Sequence, residues 1–142
     1  MTDNTVIPGQ KQVAIILHNG GYDRASYALC IAQAALASGM QVHMLLTYEG
    51  LRRFTKGHLD NIIEGTSLAV IDDVRYGLDS GSIQPLEEQL AETKNLGLKL
   101  YACPNVMASL KIPFKDLIGV DDVMGLVSFL AIANDSDSNW YI

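Results

Sequence analysis

VAIILHNGGYDRASYALCIAQAALASGMQVHMLL, residues 13–46, sets the fold class of this chain. Residues 13–17 (VAIIL) form an unbroken apolar run rich in β-branched side chains, the pattern of a strand buried on both faces. His18-Asn19-Gly20-Gly21 interrupts it. From Tyr22 an alanine-rich segment predicts a helix to Ser38, and Gly39 stands where a helix stops. The helix is apolar nearly all round, so it is expected to pack on more than one side, with Cys30 as core. Residues 42–46 (VHMLL) read as a second strand. Strand, helix and strand at this spacing make a βαβ unit, two parallel strands joined by a right-handed crossover.

Outward from this unit the alternation continues. Thr47-Tyr48-Glu49-Gly50 is a polar loop, followed by a short helical piece over residues 51–54. Residues 55–82 read as a glycine-rich surface excursion in which only residues 67–71 suggest a strand. PLEEQLAETKN, residues 85–95, is an amphipathic helix with proline at its start, acids in its first turn and Gly97 beyond its end. Residues 98–102 predict a further strand, residues 104–110 a short helix, and residues 116–120 a short final strand. Asp121-Asp122 then open a helix running to about Ala133. Residues 1–11 read as a flexible lead-in, residues 12–134 as one domain, and residues 135–142 as a polar tail ending in aromatics. The expected architecture is α/β: a three-layer, flavodoxin-like sandwich around a mostly parallel sheet.

Composition narrows the function. The chain has 142 residues, enough for one core, with 49% hydrophobic and only 18% charged residues. So little charged surface points to coverage by partner subunits. Net charge is −6 and no basic run exceeds Arg52-Arg53, which argues against nucleic acid as a partner. No apolar run approaches the roughly 20 residues of a membrane span. The opening MTDNTVIPGQKQ lacks an apolar core, so no signal peptide is expected and the cytoplasm is the default location. His18, His43 and His58 are scattered and no CxxC occurs, so no metal is expected. A phosphate-loop lysine and a GxGxxG fingerprint are both missing, which ranks a mononucleotide site lowest and leaves no cofactor expected.

Parallel α/β sheets bind ligands beyond the carboxyl ends of their strands. The 18–23 loop, the 47–51 loop and Cys103 all converge there. Cys103 ends a strand and Pro104 opens a helix, so amides and helix dipole favour a negative sulfur. The competing reading is a small buried hydrophobe. Around it, Asn19, Gly20, Gly21, Thr47, Tyr48 and Asn105 are the candidate ligand or anion-binding residues. Asp23 reads as the cap of the first helix, Arg24 as facing site or solvent, and Glu49 as solvated.

These motifs resemble the DsrE/DsrF-like family, whose relatives include the sulfur-relay Tus proteins. The matching segments are IILHNGGYDRASYALCIAQAALASGMQV, LLTYEGL, GLKLYAC and DLIGVDDVMGLVSFLA. The resemblance implies a flavodoxin-like sandwich assembled into homo-oligomers, often trimers or hexamers. It also implies binding or passing of sulfane sulfur as a persulfide, a role that maps onto Cys103, between donor and acceptor proteins. Gly50, Leu51 and Gly125 match recurrent positions and suit backbone geometry. Many relatives follow the cysteine with a Ser-Met-Asp run, and later carry Met-Gly-Ile. Here Val106-Met107-Ala108 and Leu110-Lys111-Ile112 stand instead. The expectation is therefore a small thiol protein relaying sulfur on Cys103. The alternative is a binding or assembly module that has kept the fold without the chemistry.

Overall fold

The structure, a computed structural model, describes residues 9–142. Of the expected lead-in, residues 1–8 lie outside the described residues. Five strands, β1 (Gln12–Leu17), β2 (Gln41–Leu46), β3 (Lys99–Ala102), β4 (Asp122–Val123) and β5 (Ser138–Tyr141), form one sheet. Their order is β4-β3-β2-β1-β5 and every pair is parallel. Six helices accompany them: α1 (Tyr22–Ala37), α2 (Tyr48–Arg53), α3 (Ile71–Ser80), α4 (Leu86–Asn95), α5 (Pro104–Leu110) and α6 (Leu126–Asn134).

The period-two alternation of the strands divides the core. Val13, Ile15, Leu17, Met44, Leu46 and Leu100 face a large cluster built with residues of α1 to α5. Ala14, Leu45 and Tyr101 face the other way, onto Phe129 of α6. The sandwich is lopsided. With a single short helix on its second side, α6 leaves Leu126, Val127 and Leu130 exposed.

The structure corrects several expectations. The 55–82 excursion contains α3 in place of a strand. Ile71, Val74 and Gly77 are its buried stripe, and the Ile83 side chain packs where a Cβ on Gly77 would stand. The final strand lies at 122–123 and not at 116–120. The Asp121 carboxylate accepts the Leu100 N–H at 2.8 Å and pairs with Lys94, which draws the segment onto β3. These acids therefore serve the sheet, and α6 starts later, after Gly125. The 135–142 tail contains β5, whose Ser138–Tyr141 ladder continues the sheet beyond β1. Cys30 is exposed on α1, where Gln89 Nε2 donates to its sulfur at 3.2 Å. Asp23 makes no capping bond. Gly21 is the N-cap, and Thr66 Oγ1 accepts the Tyr22 N–H at 2.9 Å from a distant loop.

Candidate functional site at the carboxyl edge

Continuing each strand register by one residue puts His18, Thr47, Cys103 and Met124 side by side. The ladder hydrogen bonds carry on through this row. Thr47 N–H donates to Leu17 O at 3.0 Å, Cys103 N–H to Leu46 O at 3.2 Å, and Met124 N–H to Ala102 O at 3.0 Å. Leu17, Leu46 and Ala102 point into the large core. Their successors therefore point to the α6 side, by strand alternation. Cys103 packs against both clusters and sits at the seam between the layers. It is half-buried and extended (φ −73°, ψ 121°) as the N-cap of α5, with Pro104 as the first helical residue. Proline suits that position because its missing N–H has no partner to lose there.

Two glycines lock the loops that flank the thiol. A Cβ on Gly50 would stand 2.3 Å from Leu17 O, and one on Gly20 would stand 2.4 Å from Glu49 O. The β1–α1 and β2–α2 loops thus touch backbone to backbone. Gly50 N–H adds bonds to His18 O and Thr47 O, both at 3.0 Å. Tyr48, at the start of α2, is held at φ 47°, a left-handed conformation uncommon outside glycine. Its ring lies 5.0 Å from that of His18, which also lies 6.0 Å from the Tyr141 ring.

The amides expected to hold an anion are partly committed elsewhere. Asn19 N–H donates to Ile142 O at 3.2 Å, and Gly21 N–H donates to Asn19 Oδ1 at 2.8 Å. Asn105 lies exposed on the first turn of α5. Glu49 is exposed and ion-paired with Arg52 at 3.2 Å. Arg24 is exposed beside Tyr27, Trp140 and Tyr141, in a groove of about 440 Å³ between α1 and β5. A larger cleft, about 510 Å³, runs along the α6 side of the sheet from Gln12 and Gln41 at the amino ends of the strands to Met124. His43 and Tyr101 line it, hydrogen-bonded at 2.9 Å. Burial, helped by Lys99, pulls the His43 pKa down, and burial with Asp121 and Asp122 pushes Tyr101 up to about 12.

Sequence reading missed Arg53, which underlies the edge. It is buried, and its guanidinium donates to Gly20 O at 2.9 Å, His58 O at 2.8 Å, and the carbonyls of Asn61 and Glu64. It also lies 5.6 Å from the centre of the Tyr22 ring. Burial lowers its pKa, and Glu64, Tyr22 and Asp60 oppose that shift. His58 pairs with Glu64 at 2.7 Å. No group of His, Cys, Asp or Glu among the described residues is arranged to hold a metal.

A model of the DsrE/DsrF-like family matches residues 11–139. The chain belongs to that family. This DsrE-like chain is 24% identical to the YrkE protein of Bacillus subtilis strain 168, an alignment that spans the whole of both proteins. Two solved structures share its fold at 13% identity. MTH1491 of Methanobacterium thermoautotrophicum, a protein of unknown function, superposes with a TM-score of 0.63 over 92% of this chain and 99% of its own. The ychN protein of E. coli gives 0.60 over 94% and 99%. The all-parallel sheet agrees with the flavodoxin-like sandwich expected of the family. No described helix is long and apolar enough to cross a membrane.

Proposed function

We propose that this DsrE-like protein binds and relays sulfane sulfur as a persulfide on Cys103. The carrying observation is the half-buried thiol at the end of β3, in the row His18, Thr47, Cys103 and Met124 at the sheet's ligand-binding edge. The Cys103 thiolate attacks the outer sulfur of a donor persulfide, forming a new S–S bond and releasing the donor as its thiolate. A second exchange passes that sulfur to an acceptor thiol. Both steps need reduced thiols, which fits the cytoplasm. The exposed Leu126, Val127 and Leu130 of α6 support self-assembly, as a trimer or hexamer, with donor and acceptor proteins reaching the carboxyl edge.

The test is intact-protein mass after exposure to thiosulfate, tetrathionate or a small persulfide, for wild type and Cys103→Ala together. A reductant-sensitive sulfur adduct on wild type alone is expected. No adduct, or equal adducts on both, favours the second reading, a binding or assembly module without sulfur chemistry. One observation supports that alternative: Val106, where many relatives carry serine, is buried in the core and offers the thiol no hydroxyl.

A further inference from the structure

We infer that His18 is the base that deprotonates the acceptor thiol when sulfur leaves Cys103; this rests on the persulfide reading above. Strand register carries the argument. His18 and Cys103 flank Thr47 in the edge row, with Cys103 at the seam between the two layers. Neighbouring strands are about 4.8 Å apart, so the two Cα atoms stand roughly 10 Å apart. At that separation the imidazole and the thiol share no hydrogen bond in this structure. It leaves room for an S–S bond of about 2 Å and the sulfur that attacks it. His18 therefore faces the incoming thiol and not Cys103 itself.

The ring is held for such a task. Its ring centre lies 5.0 Å from that of Tyr48 and 6.0 Å from that of Tyr141. Its backbone is pinned at both ends, by His18 N–H to Ile142 O at 2.7 Å and by Gly50 N–H to His18 O at 3.0 Å. The other titratable groups nearby are differently engaged. Glu49 is turned to Arg52, and His58 is paired with Glu64.

The step balances. His18 takes the proton of an acceptor R–SH, and the thiolate formed attacks the outer sulfur of Cys103–Sγ–SH. The R–S–SH bond forms as the Sγ–S bond breaks. Its electron pair stays on Cys103 Sγ, which leaves as the thiolate, and His18 returns its proton to solvent. Sulfane sulfur moves from one thiol to another with no net oxidation. The acceptor class is a thiol that arrives protonated.

The experiment first charges wild type, His18→Gln and His18→Phe with a small persulfide. It then follows loss of the Cys103 adduct by mass, with cysteine or with sulfite as acceptor. Sulfite attacks as an anion and needs no base. With cysteine, both variants are expected to discharge about 10²-fold more slowly than wild type, the lower bound for a lost general base. With sulfite, all three should discharge alike. Equal rates with cysteine overturn the inference. A loss of the same size on both acceptors also overturns it, as does failure of the variants alone to charge, because His18 would then shape the thiol's surroundings. Failure of wild type to charge sinks the persulfide reading itself, and this inference with it.

Discussion

Replacing Arg53 by methionine removes a buried cation that holds four carbonyls while keeping much of its apolar volume. Gly20 O belongs to the β1–α1 loop, whereas His58 O, Asn61 O and Glu64 O belong to the segment after α2. Arg53 is the tie between them. Each hydrogen bond from a charged donor contributes about 1.5–3 kcal/mol, so the gross loss is several times that. The three bonds to the 58–64 segment are only partly buried, so water recovers some of it after the substitution. The bond to Gly20 O is buried and is not recovered. The net destabilisation should be about 3–5 kcal/mol, the range for losing one partner of a buried charged interaction. At roughly 2–4 °C per kcal/mol for a chain of this size, the midpoint should fall by about 10 °C. Urea titration followed by circular dichroism measures the free energy, and amide exchange over residues 55–66 locates it. Arg53→Lys keeps the charge but lacks the planar fork, and one ammonium cannot span four carbonyls, so it should lose at least ~2 kcal/mol. A methionine variant within about 1 kcal/mol of wild type, with unchanged exchange in the 55–66 segment, would refute this account of the loop.

Other expectations follow from single contacts. Gly50→Ala drives a methyl into the Leu17 carbonyl, against backbone that cannot rotate away, and should cost about 3 kcal/mol in chemical denaturation. Gly125→Ala meets nothing within 4 Å and should stay within about 1 kcal/mol, so equal effects at the two positions would discredit the steric argument. The His43 pKa lies below its ordinary 6.5 in the folded chain, chiefly through burial, so acid protonates the unfolded chain first. Stability should therefore decline as pH falls below about 6.5, until the folded histidine also titrates, and His43→Gln should flatten that limb of the pH–stability curve. Val127→Lys, on the exposed face of α6, should shift the particle mass by light scattering toward one chain.

Local pattern carried the βαβ unit because its signals lie within one segment: an apolar run, a helix bounded by Gly39, and a second run. The α3 helix was hidden by its own composition. Gly77, Asp79, Ser80 and Gly81 read as turn residues, although Ile71, Val74 and Leu78 already keep helical spacing. Past the helix end the chain turns back, so that Ile83 packs on Gly77 and its N–H donates to Gly77 O at 2.9 Å. SNWY reads as tail because a four-residue strand with one buried neighbour has no alternation long enough to show. Its place beside β1 is a property of the sheet order. The same holds for the site. Cys103 and Thr47 were legible as strand ends. That His18 shares their row required knowing which strands are neighbours.

The edge that carries the thiol is held from far along the chain. Without β5, β1 would be the last strand of the sheet, with its ladder groups open to solvent. The main-chain oxygen of Ile142 also accepts the N–H groups of both His18 and Asn19. The residues after α6 thereby shape the loop after β1. Arg53 reaches the same loop from the other side, through Gly20 O. Between these two restraints the Gly20 and Gly50 backbones interlock, leaving no room for a Cβ. Such an arrangement fixes the main chain beneath the side chains of the row. It would suit the sulfur transfer proposed above, in which a small atom must pass between thiols aligned along one S–S axis.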